Sequence, residues 1–308
     1  MASAGSYEAY YVPEQTKLPF FASIGLFLTV FGLGNILNDI KSSDSTTFST
    51  WMALVGFVLL SYVLFLWFST VIRENHAGMN SDQLKRSYVW GMGWFIFSEV
   101  MFFAAFFGAL FYVRTFAVSW LGGEGDKGVT GDILWPNFEA AWPVVENPDS
   151  TRFTNPIEAM NVHEWSVGFF AKYLPFWNTL ILITSSVTVH FAHTALKAEN
   201  RKRLIQWLSV TVALGIIFLF LQVFEYYEAY AHYGLTLDSG IYGSTFFLLT
   251  GFHGFHVTLG TFMLAVMLAR AIKGHFKPDD HFGFEAASWY WHFVDVVWVG
   301  LFIFVYLL

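Results

Sequence analysis

Apolar residues recur along this chain in runs of about 20, the length a helix needs to cross a hydrocarbon layer about 30 Å thick. Hydropathy places spans at about 20–40, 50–72, 89–113, 174–196, 205–229, 244–270 and 288–308. A helix is the open spanning form that satisfies its own backbone in lipid, so the pattern predicts an all-α membrane protein with seven transmembrane helices. Pro175 falls at the first turn of the fourth span, where a missing N–H costs no helical hydrogen bond.

Composition sharpens this reading. The 308 residues are 56% hydrophobic, 20% aromatic and 13% charged, whereas a soluble domain carries roughly 25% charged residues. Cysteine is absent, which excludes disulfides, iron–sulfur ligation, thiolate copper sites and thioether-linked haem in this chain. The formal net charge is −7, but its distribution between the two sides of a membrane says more than its sum. Ahead of Lys17 there is neither the basic start nor the apolar core of a cleavable signal, so the first span is expected to act as anchor and insertion signal.

With seven spans, Lys17, Arg73, Lys85, Arg86, Lys197, Arg201, Lys202, Arg203, Arg270, Lys273 and Lys277 share one side. Lys41, Arg114, Lys127, Arg152 and Lys172 fall on the other, although that side holds the longest loop, at about 115–171. The bias toward the first side predicts a cytoplasmic N terminus and an outer C terminus. The long loop is acidic and carries tryptophan and proline. It reads as a solvated segment with tryptophans at the headgroups, or as an acidic surface that attracts a basic soluble electron carrier.

Ionisable groups at membrane depth are costly and are candidates for function. Glu99 lies near the middle of the third span and reads either as a proton-linked carboxyl or as an acid hydrogen-bonded to a neighbouring helix. Glu225 and Glu228, His253 and His256, and His292 and Asp295 are pairs three residues apart in the fifth, sixth and seventh spans. That spacing puts each pair on one helical face, as interhelical polar contacts require. No Glu-x-x-His pair, the di-iron signature of helical bundles, occurs within a span, so no metal site is expected. His190 and His193 read as interfacial groups rather than ligands. At the cytoplasmic ends of the second and sixth spans, Arg73, Glu74 and His76, and Arg270, Lys273 and His275, either snorkel to water or hold a lipid phosphate.

Several stretches resemble cytochrome c oxidase subunit III, in order and over nearly the whole chain. They are VIRE at 71–74, SEVMFF at 98–103, EYYEA at 225–229, YGSTFF at 242–247, GFHGFHV at 251–257, and HFGFEA through WYWHFVDVVW at 281–298. The resemblance implies two helices and five helices around a cleft that holds phospholipid. The expected division is 1–88, an N-terminal cytoplasmic segment with the first two helices, and 89–308, a five-helix bundle with the outer loop. It makes Arg73, Glu74, Arg270, Lys273 and His275, with His76 less directly, lipid headgroup contacts. Glu99 matches the family's carbodiimide-reactive buried carboxyl.

The implied role is that of a non-redox accessory subunit of a proton-pumping oxidase. It would support proton uptake and the durability of the catalytic subunit, with no catalytic residue of its own. Haem and copper are expected in the partner subunits, subunit I packing directly and subunit II within the complex. Cytochrome c is the substrate of the assembly, phospholipid is the bound ligand, and no nucleic acid is involved. The insertion between the third and fourth spans resembles some bacterial relatives and points to a bacterial inner membrane. The alternatives are subunit III of a quinol oxidase, which typically lacks the first two spans, and a seven-helix transporter.

Overall fold

The computed structural model describes residues 15–308; the segment read above for a signal lies mostly outside them. Among the described residues seven helices are long and apolar enough to cross a membrane: α1 (Leu18–Ser42), α2 (Thr47–His76), α3 (Asp82–Leu121), α4 (Leu174–Lys197), α5 (Arg201–Ala231), α6 (Gly240–Lys273) and α7 (Phe282–Leu307). All seven anticipated spans are present, and most of the helices reach beyond both predicted boundaries; α4 starts where predicted and α7 ends one residue short. Hydropathy registers the apolar stretch alone, whereas backbone hydrogen bonding carries a helix on into polar end turns such as residues 82–88. At 1.5 Å per residue the 34 residues of α6 extend about 51 Å, well past the hydrocarbon thickness. π-helical turns occur at Val113–Ala117 within α3 and at Phe302–Leu307 in α7.

The chain divides into two compact units, Met1–Tyr88 and Val89–Leu308. In the first, α1 and α2 form an antiparallel hairpin closed by Ser43 in the left-handed region (φ 58°). The Asp44 N–H donates to Asp39 O at 2.8 Å, and the Ser49 hydroxyl donates to the Asp39 carboxylate. Small residues let the two backbones touch. A Cβ on Gly32 would stand 2.5 Å from Ala53 N, and one on Gly56 would stand 2.5 Å from Thr29 N. In lipid, where apolar burial gives helices no reason to associate, such close approach is the main source of attraction.

In the second unit α4, α5, α6 and α7 pack in cyclic order. α7 is the most enclosed span: 56% of its apolar stretch is buried, against 11% for α1. Its tryptophans fix the bundle. Trp291 donates from Nε1 to Ser185 Oγ on α4 at 2.9 Å, and Trp298 donates to Thr179 Oγ1 at 2.9 Å. The Trp291 ring fits because Gly260 and Gly215 face it; a Cβ on either would lie 2.9 Å from a ring carbon. α3 stands against α6 and α7 through aromatic side chains, with Phe102 on Phe252 at 5.1 Å, Phe95 on Tyr290 at 6.1 Å and Phe107 on Phe304 at 5.9 Å between centroids.

The long loop is seated on the ends of this bundle. Tyr242 Oη accepts from Met160 N at 2.9 Å and Tyr173 Oη donates to Met160 O at 2.7 Å. Val162 N donates to Tyr306 O at 2.7 Å and Ile157 N to Tyr233 O at 2.8 Å. Val144, Met160 and Val162 are buried. In the exposed part of the loop, Asp149 accepts from the Thr151 hydroxyl at 2.6 Å and from its N–H at 3.0 Å, which holds the carboxyl below its ordinary pKa.

Gly56→Leu should force the α1–α2 hairpin apart and destabilise it by about 1–3 kcal/mol. Gly34→Leu, where a Cβ meets nothing within 4 Å, should leave it intact. Unfolding midpoints of the two variants in one detergent check the contrast.

Candidate functional site

The second unit gathers most of the polar groups at membrane depth and gives each a specific address. Glu99, on α3, meets His256, on α6, with Oε2 and Nε2 2.9 Å apart. His256 Nδ1 lies 2.6 Å from Phe252 O and therefore carries a proton donated to that carbonyl. One further proton then sits between Nε2 and the carboxyl. Either the acid donates to a neutral imidazole or an imidazolium donates to a carboxylate, and the pair has no net charge in both cases. The His256 ring is surrounded by Phe103 at 5.0 Å, Phe255 at 5.7 Å, Phe102 at 5.9 Å and Tyr290 at 6.4 Å. Its side chain is 7% exposed, whereas that of Glu99 is 23% exposed.

Most of the residues read from three-residue spacing make polar contacts to neighbouring helices. His253, one turn from His256, is fully buried and turns toward α7, where Nε2 donates to Val294 O at 3.2 Å. Its ring packs on Trp298 at 5.0 Å. Glu225, fully buried, accepts from Tyr306 Oη at 2.5 Å, while Glu228 is only half-buried. His292 Nδ1 meets Ser186 Oγ on α4 at 2.6 Å. Asp295 is buried one turn further along and also faces Ser186 on α4. Three residues of a helix subtend about 300°, so neighbours on one broad face still diverge enough to reach different helices.

The candidate headgroup residues sit at helix ends, as their positions require. Arg73 is exposed and donates to Thr70 Oγ1 at 3.1 Å. Glu74 and His76 occupy the last turn of α2. Arg270 is half-buried with its guanidinium 4.7 Å above the Phe276 ring, Lys273 is exposed, and His275 follows the end of α6.

One grouping escapes the sequence. His193, near the end of α4, comes within 3.2 Å of His281 and 3.4 Å of Glu285, which belong to the start of α7. His281 and Glu285 are themselves 3.3 Å apart. The signal available was the i, i+4 spacing of His281 and Glu285, but nothing local indicated the third member.

The family model for cytochrome c oxidase subunit III matches residues 8–125 and 167–308. The chain belongs to the cytochrome c oxidase subunit III family. Residues 126–166, most of the outer loop, lie outside that match. The chain is 38% identical to cytochrome c oxidase subunit 3 of Prototheca wickerhamii over 300 residues, 96% of each chain. It is 39% identical to that of Sus scrofa over 253 residues, 82% of each chain, and 36% identical to that of Papio hamadryas over 299 residues, 97% of this chain and 96% of the relative. It is therefore a multi-pass membrane subunit of the cytochrome c oxidase complex of the respiratory chain, in a family that carries no redox cofactor.

Replacing Tyr306 by Phe removes the donor to Glu225 and leaves a buried carboxyl oxygen unsatisfied. The expected loss is about 1–3 kcal/mol in stability, measured as a lower thermal midpoint for this chain within the detergent-solubilised oxidase.

Proposed function

We propose that the chain is the non-redox accessory subunit III of a proton-pumping oxidase. It packs directly on subunit I, joins subunit II, and sustains proton uptake and the durability of the catalytic subunit. Haem and copper belong to those partners, and cytochrome c is the substrate of the assembly. The observation that carries this reading is the Glu99–His256 pair. A carboxyl and an imidazole 2.9 Å apart can shift a single proton between them without creating net charge, and the pair stays neutral inside its aromatic shell when uptake of a proton is matched by release of another.

Phospholipid is the second element of the proposal. Arg73, Glu74 and His76 in the first unit, and Arg270, Lys273 and His275 in the second, are clusters at helix ends whose cations suit a phosphate by charge-assisted hydrogen bonding. The membrane is proposed to be a bacterial inner membrane with the N terminus cytoplasmic. Support comes from the excess of basic residues on the N-terminal side and from the insertion that lies outside the family match.

Glu99→Gln keeps the side chain's shape and removes its acid. The oxidase carrying it should begin oxygen consumption at the normal rate with reduced cytochrome c, then inactivate after severalfold fewer turnovers. An unchanged number of turnovers before inactivation would remove Glu99 from any proton-linked role. For the lipid, Arg73→Ala and Arg270→Ala should each lower the phospholipid that copurifies with the complex, read by mass spectrometry. Equal lipid content in both variants and the parent would count against these headgroup contacts.

A further inference from the structure

We propose that His193, His281 and Glu285 form a zinc-class divalent metal site that joins α4 to α7 on the side of the membrane bearing most basic residues. The argument rests on the shape of the triangle these ligands make. His193 Nε2, His281 Nε2 and Glu285 Oε1 are 3.2, 3.3 and 3.4 Å from one another. Zinc bonds of about 2.0–2.1 Å in a tetrahedron set neighbouring ligand atoms about 3.3–3.4 Å apart. The three atoms therefore already occupy one face of such a tetrahedron, and the fourth position points away from them for water or another donor.

The protonation of the triad leads to the same place. His281 Nδ1 lies 3.1 Å from Lys277 O, so its proton is donated to that carbonyl and Nε2 presents a lone pair inward. This is the second-sphere contact that orients a metal-ligating histidine. Glu285 presents a second acceptor at 3.3 Å. A single N–H on His193 can serve only one of the two acceptors well, and the His281 Nε2–Glu285 Oε1 contact sets lone pair against lone pair in either case. A divalent cation satisfies all three at once. Phe284 packs on the His193 ring at 5.6 Å and limits its rotation.

The ligand set of two imidazoles and one carboxylate suits zinc and the neighbouring late transition metals over calcium or magnesium, which favour oxygen cages. His281 is 9% exposed, His193 21% and Glu285 29%, so the site is sheltered yet open to an ion from the aqueous side. Lys197 lies within electrostatic reach of His193 and opposes the cation. Lys197 is exposed and screened by solvent, whereas the triad supplies direct bonds. α4 and α7 already pack together in the bundle, so the ion adds a clasp to an existing contact and needs no rearrangement.

The test uses the whole oxidase complex, stripped with a chelator and then dialysed against zinc chloride, with bound metal counted by plasma mass spectrometry. His281→Asn is the main variant, because asparagine retains a good N-cap at the start of α7. His193→Gln is the second, altering the site from α4 and independent of any effect on the α7 start. Each variant should retain one zinc fewer per complex than the parent, and Glu285→Gln should weaken binding at that site by at least about tenfold, as loss of one ligand implies. Equal zinc content in parent and both histidine variants would overturn the proposal and leave the triad as a hydrogen-bonded cluster that picks up only an adventitious ion.

Discussion

Lipid offers no hydrogen bonds, and this one constraint organises the molecule. A polar group at membrane depth is costly unless it finds a partner within the protein. The backbone meets the demand through seven helices. The side chains meet it through contacts between helices: Trp291 with Ser185, Trp298 with Thr179, Tyr306 with Glu225, and His256 with Glu99. All four involve α6 or α7, and α7 is correspondingly the most buried span. The polar contacts decide which faces meet, because apolar surface cannot distinguish a neighbouring helix from lipid.

The two units meet the constraint in different ways. The first associates chiefly by backbone proximity, through Gly25, Gly32 and Gly56, with the Ser49–Asp39 hydrogen bond near the turn. The second combines glycine contacts with aromatic rings that separate α3 from α6 and α7. A ring-mediated contact leaves more room than a glycine contact, and the Glu99–His256 pair occupies that room. Packing style and site are thus linked: a carboxyl–imidazole pair needs a helix spacing that close glycine packing would not provide.

Family membership places the protein in the oxidase complex and assigns its redox chemistry to other chains. The contributions proposed for this subunit are protons, lipids and ions handled at its own polar groups. The Glu99–His256 pair, the basic helix ends and the His193–His281–Glu285 triangle are three separate places where that can happen, and each has its own chemistry. The outer loop adds a fourth surface. It is tied down by hydrogen bonds from Ile157, Met160 and Val162 to the ends of α5, α6 and α7, so a segment expected to be a solvated loop is partly a cap on the bundle.

The helices and their order were legible in the sequence because apolar length is a local property, and a span announces itself residue by residue. So was the depth of Glu99, His253 and His256, and so were the stretches that identify the family. Helix ends were less legible, since polar turns such as residues 82–88 continue a helix without adding hydropathy. The partners of the buried groups were not legible at all. Spacing along one helix suggested that His253 and His256 make interhelical contacts, but not that one bonds to α7 and the other to α3. The triangle at His193 joins residues separated by 88 positions or more. Sequence by itself determined which residues must leave water, because that depends on composition over a single span. Only the tertiary structure decided which of them face one another, because that depends on helix rotation and spacing, set jointly by glycine contacts, aromatic rings and polar contacts between helices.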